Sequence, residues 1–238
     1  MSTGVEVISA TRLALAFVPV AAALVVLHRW SAGERDALRA VVRMLLQLML
    51  IGYVLAYIFE TDRAALIGVV LTVMLVAASW IALRPLARKH PRLYLRAGAA
   101  IALGGGLTLA LVTQGVLVLD PWFWPRYMVP LAGMIFANAM NAVSLSAERL
   151  DVEMSRGTDY GDARRIALGA AMIPVVNSLF AVGLVSLPGM MTGQILSGIS
   201  PLIAARYQIM VMCMIFGSAA LSAACYLRLM KSYVEESG

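Results

Sequence analysis

The sequence predicts an all-α, polytopic integral membrane protein of about seven transmembrane helices, N-terminus outside and C-terminus inside. Three observations predict it. Of 238 residues, 61% are hydrophobic and 13% charged, with mean hydropathy +0.86; a soluble domain carries about 25% charge. The apolar residues fall in runs of the ~17–25 residues that span a bilayer. Arginine and lysine gather in alternate connections between those runs.

The runs lie at 7–27, 41–59, 64–83, 97–119, 127–147, 166–187 and 202–227. They make one transmembrane domain over 1–238 and leave no length for a soluble one. The first run lacks a basic leader, since Glu6 precedes Arg12, and reads as a span rather than a cleaved signal. The second carries Gln47 one turn after Arg43. The fourth holds Gly104, Gly105 and Gly106 with no lysine nearby, which fits close helix packing. DPWFWPR (120–126) precedes the fifth run and supplies an aromatic belt at the membrane interface. ETDR (60–63) is another short outer loop. In the fifth run Asn138 and Asn141 are three apart and share a face. Gly133, Ala137 and Asn141 form a small-residue row suited to helix contact. The sixth run carries Asn177 and Ser178. Gln194 and Gln208 lie near the break before the seventh. Cys213 and Cys225 sit on the seventh about 18 Å apart, too far for a disulfide within the chain.

Charge sets the orientation. With the N-terminus outside, the inner side holds Arg29, Arg35, Arg39, Arg43, Arg84, Arg88, Lys89, Arg92, Arg96, Arg149, Arg156, Arg164, Arg165, Arg228 and Lys231. That is 15 of the 19 basic residues, as the positive-inside rule requires. An odd number of spans follows. The net charge of +6 belongs to these loops and does not point to nucleic acid.

The longest inner connection, AERLDVEMSRGTDYGDARRIA (147–167), is the most charged window in the chain. A short helix up to Ser155 would end at Gly157, a glycine suited to a helix C-terminus. A new helix would start near Asp159–Asp162, acidic first and basic after, as the macrodipole prefers. The window fits a solvated hairpin, and equally a docking element for a cytosolic partner at about 148–165.

The stretch LVSLPGMMTGQILSG (184–198) interrupts an apolar run with a proline and three glycines. Backbone freed inside a membrane must be buried in protein or line a wet cavity. Pro188 removes a donor and Gly189 permits a turn. A broken or re-entrant segment after the sixth helix is expected, with Pro188 and Gly189 at a gate. Met190 and Met191 would be adaptable packing there, or soft contacts for cargo.

Each intramembrane amide either bridges helices, at ~0.6 kcal/mol, or faces a path. No acidic residue lies at mid-membrane depth in these runs, and no His/Cys/Asp/Glu cluster has metal-ligand spacing. His28 and His90 fall beside arginines in inner loops. No G-x-x-x-x-G-K-[ST] loop is present, so any ATP must be hydrolysed by another chain. A self-contained secondary transporter would carry internal repeats or buried titratable groups, and neither is seen. Permeation of an organic solute or nucleotide sugar stays open.

The 147–167 window, ALGAAMIPVVNSLFAVGLVSLPGMMTGQILSGISPLIAARYQIMV after it, RMLLQLMLIGYVLAYIFE (43–60) and MVPLAGMIFANAM (128–140) resemble the FetB family of ABC-transporter membrane subunits. The resemblance spans about 34–232. It implies a permease in the bacterial inner membrane that exports iron or a related metal with a FetA-like cytosolic ATPase. Plant relatives are linked to aluminium tolerance. ATP and Mg would stay on the partner, with no cofactor held permanently here. A second copy of the chain completes a symmetric pair in the bilayer. The 150–162 window resembles the coupling element of such permeases, so Glu153, Ser155, Gly157 and Thr158 are expected at the ATPase. Gln47, Asn138, Asn141, Asn177, Ser178, Met190 and Met191 are expected along the substrate path. Asn138 matches the family pattern GMI-x-x-NAM. Some relatives carry Asp where Asn177 stands, and an asparagine there offers a cation only a carbonyl oxygen. The metal ligands are not specified.

Overall fold

The computed structural model describes residues 8–60, 63–86 and 90–237. Thr61 and Asp62 of the ETDR loop and the basic pair Arg88–Lys89 lie outside the described residues. Among the described residues the chain is helical, with one isolated bridge, Val182 to Ser186. Seven helical stretches are long and apolar enough to cross a membrane. This is a multi-pass membrane protein.

The chain forms two compact units, residues 1–61 and 62–238. In the first, α1 (Ala10–Leu15) and α2 (Phe17–Arg29) make one span broken at Ala16. Pro19 has no N–H to offer the Leu15 carbonyl, which accounts for the break. After Gly33, with φ +80, α3 runs from Glu34 to Phe59. It starts seven residues before the apolar run does, because Glu34 and Asp36 suit a helix N-terminus.

The second unit holds α4 (Ala64–Ala82), α5 (Pro91–Ala110), α6 (Pro125–Ser155), α7 (Tyr160–Ala181), α8 (Gly189–Leu196) and α9 (Pro201–Ser237). α9 packs on α5, α6, α7 and α8, and α6 packs on α4, α5 and α7. The core is built of small residues, among them Ala97, Ala100, Ala132, Ala139, Ala219 and Ala223, all nearly inaccessible. Small side chains let helix backbones approach, which is how membrane helices gain contact. Gly104 is the closest such approach. A Cβ there would stand 2.4 Å from Ser222 Oγ and 2.5 Å from its backbone nitrogen. Gly105 meets Ile135 and Phe136 of α6 in the same way. Gly104 and Gly105 pack as the sequence suggests, whereas Gly106 meets nothing within 4 Å.

Two features have no warning in the sequence. α5 passes into a π-helical turn over Leu111–Val116, where buried Thr113 donates to the Leu109 carbonyl. α6 is a single helix of 31 residues, about 46 Å long, against a hydrocarbon core of about 30 Å. Its last turns extend beyond membrane depth. The charged window at 147–167 is thus two helix ends joined by a short turn, not a loop with a separate helix.

Candidate functional site

The site begins where α7 stops. The helix ends at Ala181, six residues before the apolar run does, and Gly183 is the cause. It adopts φ +82, a conformation glycine takes at no steric cost. Its N–H donates to the Ser186 carbonyl at 2.9 Å, while Leu184, Val185 and Ser186 N–H groups converge on the Ala181 carbonyl. Pro188 is then the N-cap of α8, extended at φ −62 and ψ 142. So the break runs from Gly183 to Pro188, and Pro188 restarts the helix instead of stopping it. Gly198, at φ +89, ends α8.

This turn and the helices around it line an open cavity of about 320 Å³, inside the ~300–1,000 Å³ range of small-molecule sites. α6 contributes Met134 and Asn138, α7 contributes Ser178, and the turn contributes Val182, Ser186 and Pro188. α8 adds Gly189 and Met190, and α9 adds Gln208, Val211, Met212 and Ile215. Asn138 donates Nδ2 to the Met134 carbonyl at 2.8 Å, which leaves its oxygen as an acceptor. Ser178 donates to the carbonyl of Pro174 at 2.9 Å. Gln208 is 6% exposed and its Oε1 has no protein partner. No acidic side chain lines this cavity.

The second feature is the corner between α6 and α7. Glu153 is 5% exposed. Arg149 Nη2 lies 2.7 Å and Arg156 Nη1 3.3 Å from its Oε1. Thr158 donates its hydroxyl to Oε2 at 3.2 Å and its N–H to the Glu153 carbonyl. One carboxylate thus ties the end of α6 to the turn. Gly157 takes φ +79. Asp159 caps α7 by accepting from Gly161 N–H at 2.8 Å. Tyr160 donates its hydroxyl to the Leu227 carbonyl of α9. The corner is locked to the longest helix of its unit.

The profile of the uncharacterised family UPF0014 matches residues 10–234. The chain belongs to UPF0014. One relative is the "Probable iron export permease protein FetB" of Escherichia coli (strain K12), 38% identical over 93% of this chain and 91% of that one. A second is the UPF0014 membrane protein slr1647 of Synechocystis, 38% identical over 76% of this chain and 75% of its own. A third is the Protein ALUMINUM SENSITIVE 3 of Arabidopsis thaliana, 36% identical over 79% and 73%. No solved structure matches the chain.

The structure of this UPF0014 member gathers some expected path residues and not others. Asn138, Ser178, Met190, Pro188 and Gly189 meet at the cavity. Met191 is half-buried and off its wall, while Asn141 and Asn177 are exposed. A spacing of three residues turns a helix by about 300°, which leaves Asn141 about 60° from Asn138 and outside the lining. Gln47 lies on α3, in the other unit, beside Arg39 and Arg43 in a shallow groove. Met134, Ser186 and Met212 join the site without a motif of their own. Gln208 is singled out in the sequence only by its depth, and four-residue spacing from Ala204 to Met212 marks the inward face of α9. At the corner, Ser155 and Gly157 are exposed, Thr158 is half-buried, and Glu153 points inward.

Proposed function

We propose that this chain is the permease subunit of an ATP-driven exporter of iron or a related metal, in a bacterial inner membrane. Near-full-length similarity to the E. coli FetB protein carries the reading. The cavity beside a helix break, with Asn138, Ser178, Ser186 and Gln208 among its apolar lining, supports it, because irregular backbone at membrane depth belongs at a path.

In this reading the chain lies N-out and C-in, supported by the basic residues on the inner connections. The α6–α7 corner then faces the cytosol. Ser155, Gly157 and Thr158 present its outer surface to a FetA-like ATPase. Glu153 acts from within, holding the turn in the shape that the ATPase meets. ATP and Mg reside on that partner. Two copies of the chain form the membrane half of the exporter. The cargo contacts Asn138, Ser178, Met190 and Gln208, while the Pro188–Gly189 segment moves to open the path. Asn141, Asn177, Met191 and Gln47 would touch cargo only in another state of the cycle.

The test is co-expression with a FetA-like ATPase from the same source. A complex that survives purification, and that is lost in Gly157→Val, supports the reading. A chain that never captures an ATPase, yet moves solute alone, would replace it with a secondary transporter.

A further inference from the structure

We infer that Met134, Met190 and Met212 form a thioether site for a soft monovalent metal ion of the Cu(I) class, on the wall of the cavity between α6, α7, α8 and α9. The inference rests on the reading of that cavity as a metal path and adds a class of ion that the path accepts.

The three side chains come from three different helices, α6, α8 and α9, and border one cavity of about 320 Å³. Methionine supplies three of the twelve residues that line it, against 15 of the 238 in the chain. The ordinary use of methionine is flexible packing, since its side chain bends to fill irregular gaps. That use fits Met128, Met214 and Met230, which are 3%, 1% and 8% exposed in the same bundle. It does not fit the three at the cavity. Each of them is only partly buried, and the gap beside them stays open.

A thioether sulfur is uncharged and polarisable. It binds by sharing a lone pair, and so it selects Cu(I) over hard ions that seek oxygen. Cu(I) has a filled d shell and imposes no fixed geometry. Long, unbranched methionine stems can therefore close three sulfurs on one such ion from separate helices. Met190 is the second residue of α8, just past its Pro188 cap. An ion shared by Met190, Met134 and Met212 ties the segment after the break to α6 and α9.

The experiment is equilibrium binding of Cu(I) to the full chain in lipid nanodiscs, under anaerobic conditions, against a chromophoric Cu(I) chelator. X-ray absorption at the copper edge reports the ligand atoms. The account expects one ion per chain, with sulfur neighbours. Its affinity should stay level from about pH 6 to about pH 8, because a thioether has no proton to lose, whereas thiolate ligation at Cys213 or Cys225 tightens as pH rises. Met134→Leu, Met190→Leu and Met212→Leu keep volume, and cores tolerate such swaps. Each should weaken binding about tenfold or more, since even the loss of a group that only orients a ligand costs that much. Met210→Leu lies outside the lining, two residues before Met212 and so on the far side of α9, and should leave binding unchanged. No retained Cu(I), or retention that any one of the three cavity variants leaves unmoved, overturns the inference. If that happens while the chain with a FetA-like ATPase still moves iron, the metal-export reading stands without it. If Cu(I) is held as expected and no metal moves with ATP, the export reading fails and the site stands.

Discussion

Glu153 is a carboxylate in the most charged window of the chain, and the fold turns it inward among Arg149, Arg156 and Thr158. Removing it cuts the tie between the end of α6 and the turn. Glu153→Ala should lower stability by about 2 kcal/mol, the scale of a charged hydrogen bond left unmade, read as a drop in thermal midpoint of the purified chain. Ser155→Ala, two residues on, loses only a hydroxyl bonded to the Asp151 carbonyl at an exposed position, and the midpoint should hold. Gly104 makes the opposite kind of demand. Its place in a glycine run suggests close packing, but only the structure names Ser222 as the neighbour. Gly104→Ala must part α5 from α9, because the nearest atoms include backbone. A cost of about 1–3 kcal/mol is expected, measured in the same melting experiment. The sequence could not separate inward from outward residues at the corner, since a charge looks the same in either direction.

At the scale of elements, hydropathy located every span and misjudged several ends. It reports where the membrane stops, whereas helix ends are set by backbone chemistry. α6 continues to Ser155 because nothing between Asn141 and Ser155 breaks a helix, so its polar end reads as a loop. α7 stops early because Gly183 takes a left-handed turn inside an apolar run. A proline five residues later is the more conspicuous breaker. Gly183→Ala should therefore strain the turn by about 1–2 kcal/mol. Transport should fall several-fold while the ATPase complex persists, because the cavity wall at Val182 and Ser186 follows that turn. Unaltered transport would show that the cavity tolerates a displaced wall. The π-helical turn at Leu111–Val116 has no compositional mark at all.

For the whole molecule, seven apolar helices and a near-full-length match within UPF0014 agree on a multi-pass membrane protein. The class was legible because hydropathy is a bulk property that survives changes at single residues. The cavity was half legible: Asn138, Ser178, Pro188, Gly189 and Met190 stand out as polar or irregular positions in greasy surroundings, whereas Met134 and Met212 look like any core methionine. The central claim is that metal passes this cavity under the drive of a separate ATPase. It is tested most directly with the chain and a FetA-like ATPase in proteoliposomes, the ATPase facing outward, with ATP and iron, citrate present, outside. The account predicts ATP-dependent accumulation of iron in the lumen, reduced at least tenfold by Gln208→Leu in complexes that still hydrolyse ATP. An intact complex that hydrolyses ATP without moving iron, or one whose Gln208→Leu variant moves it as fast as the parent, would contradict the account.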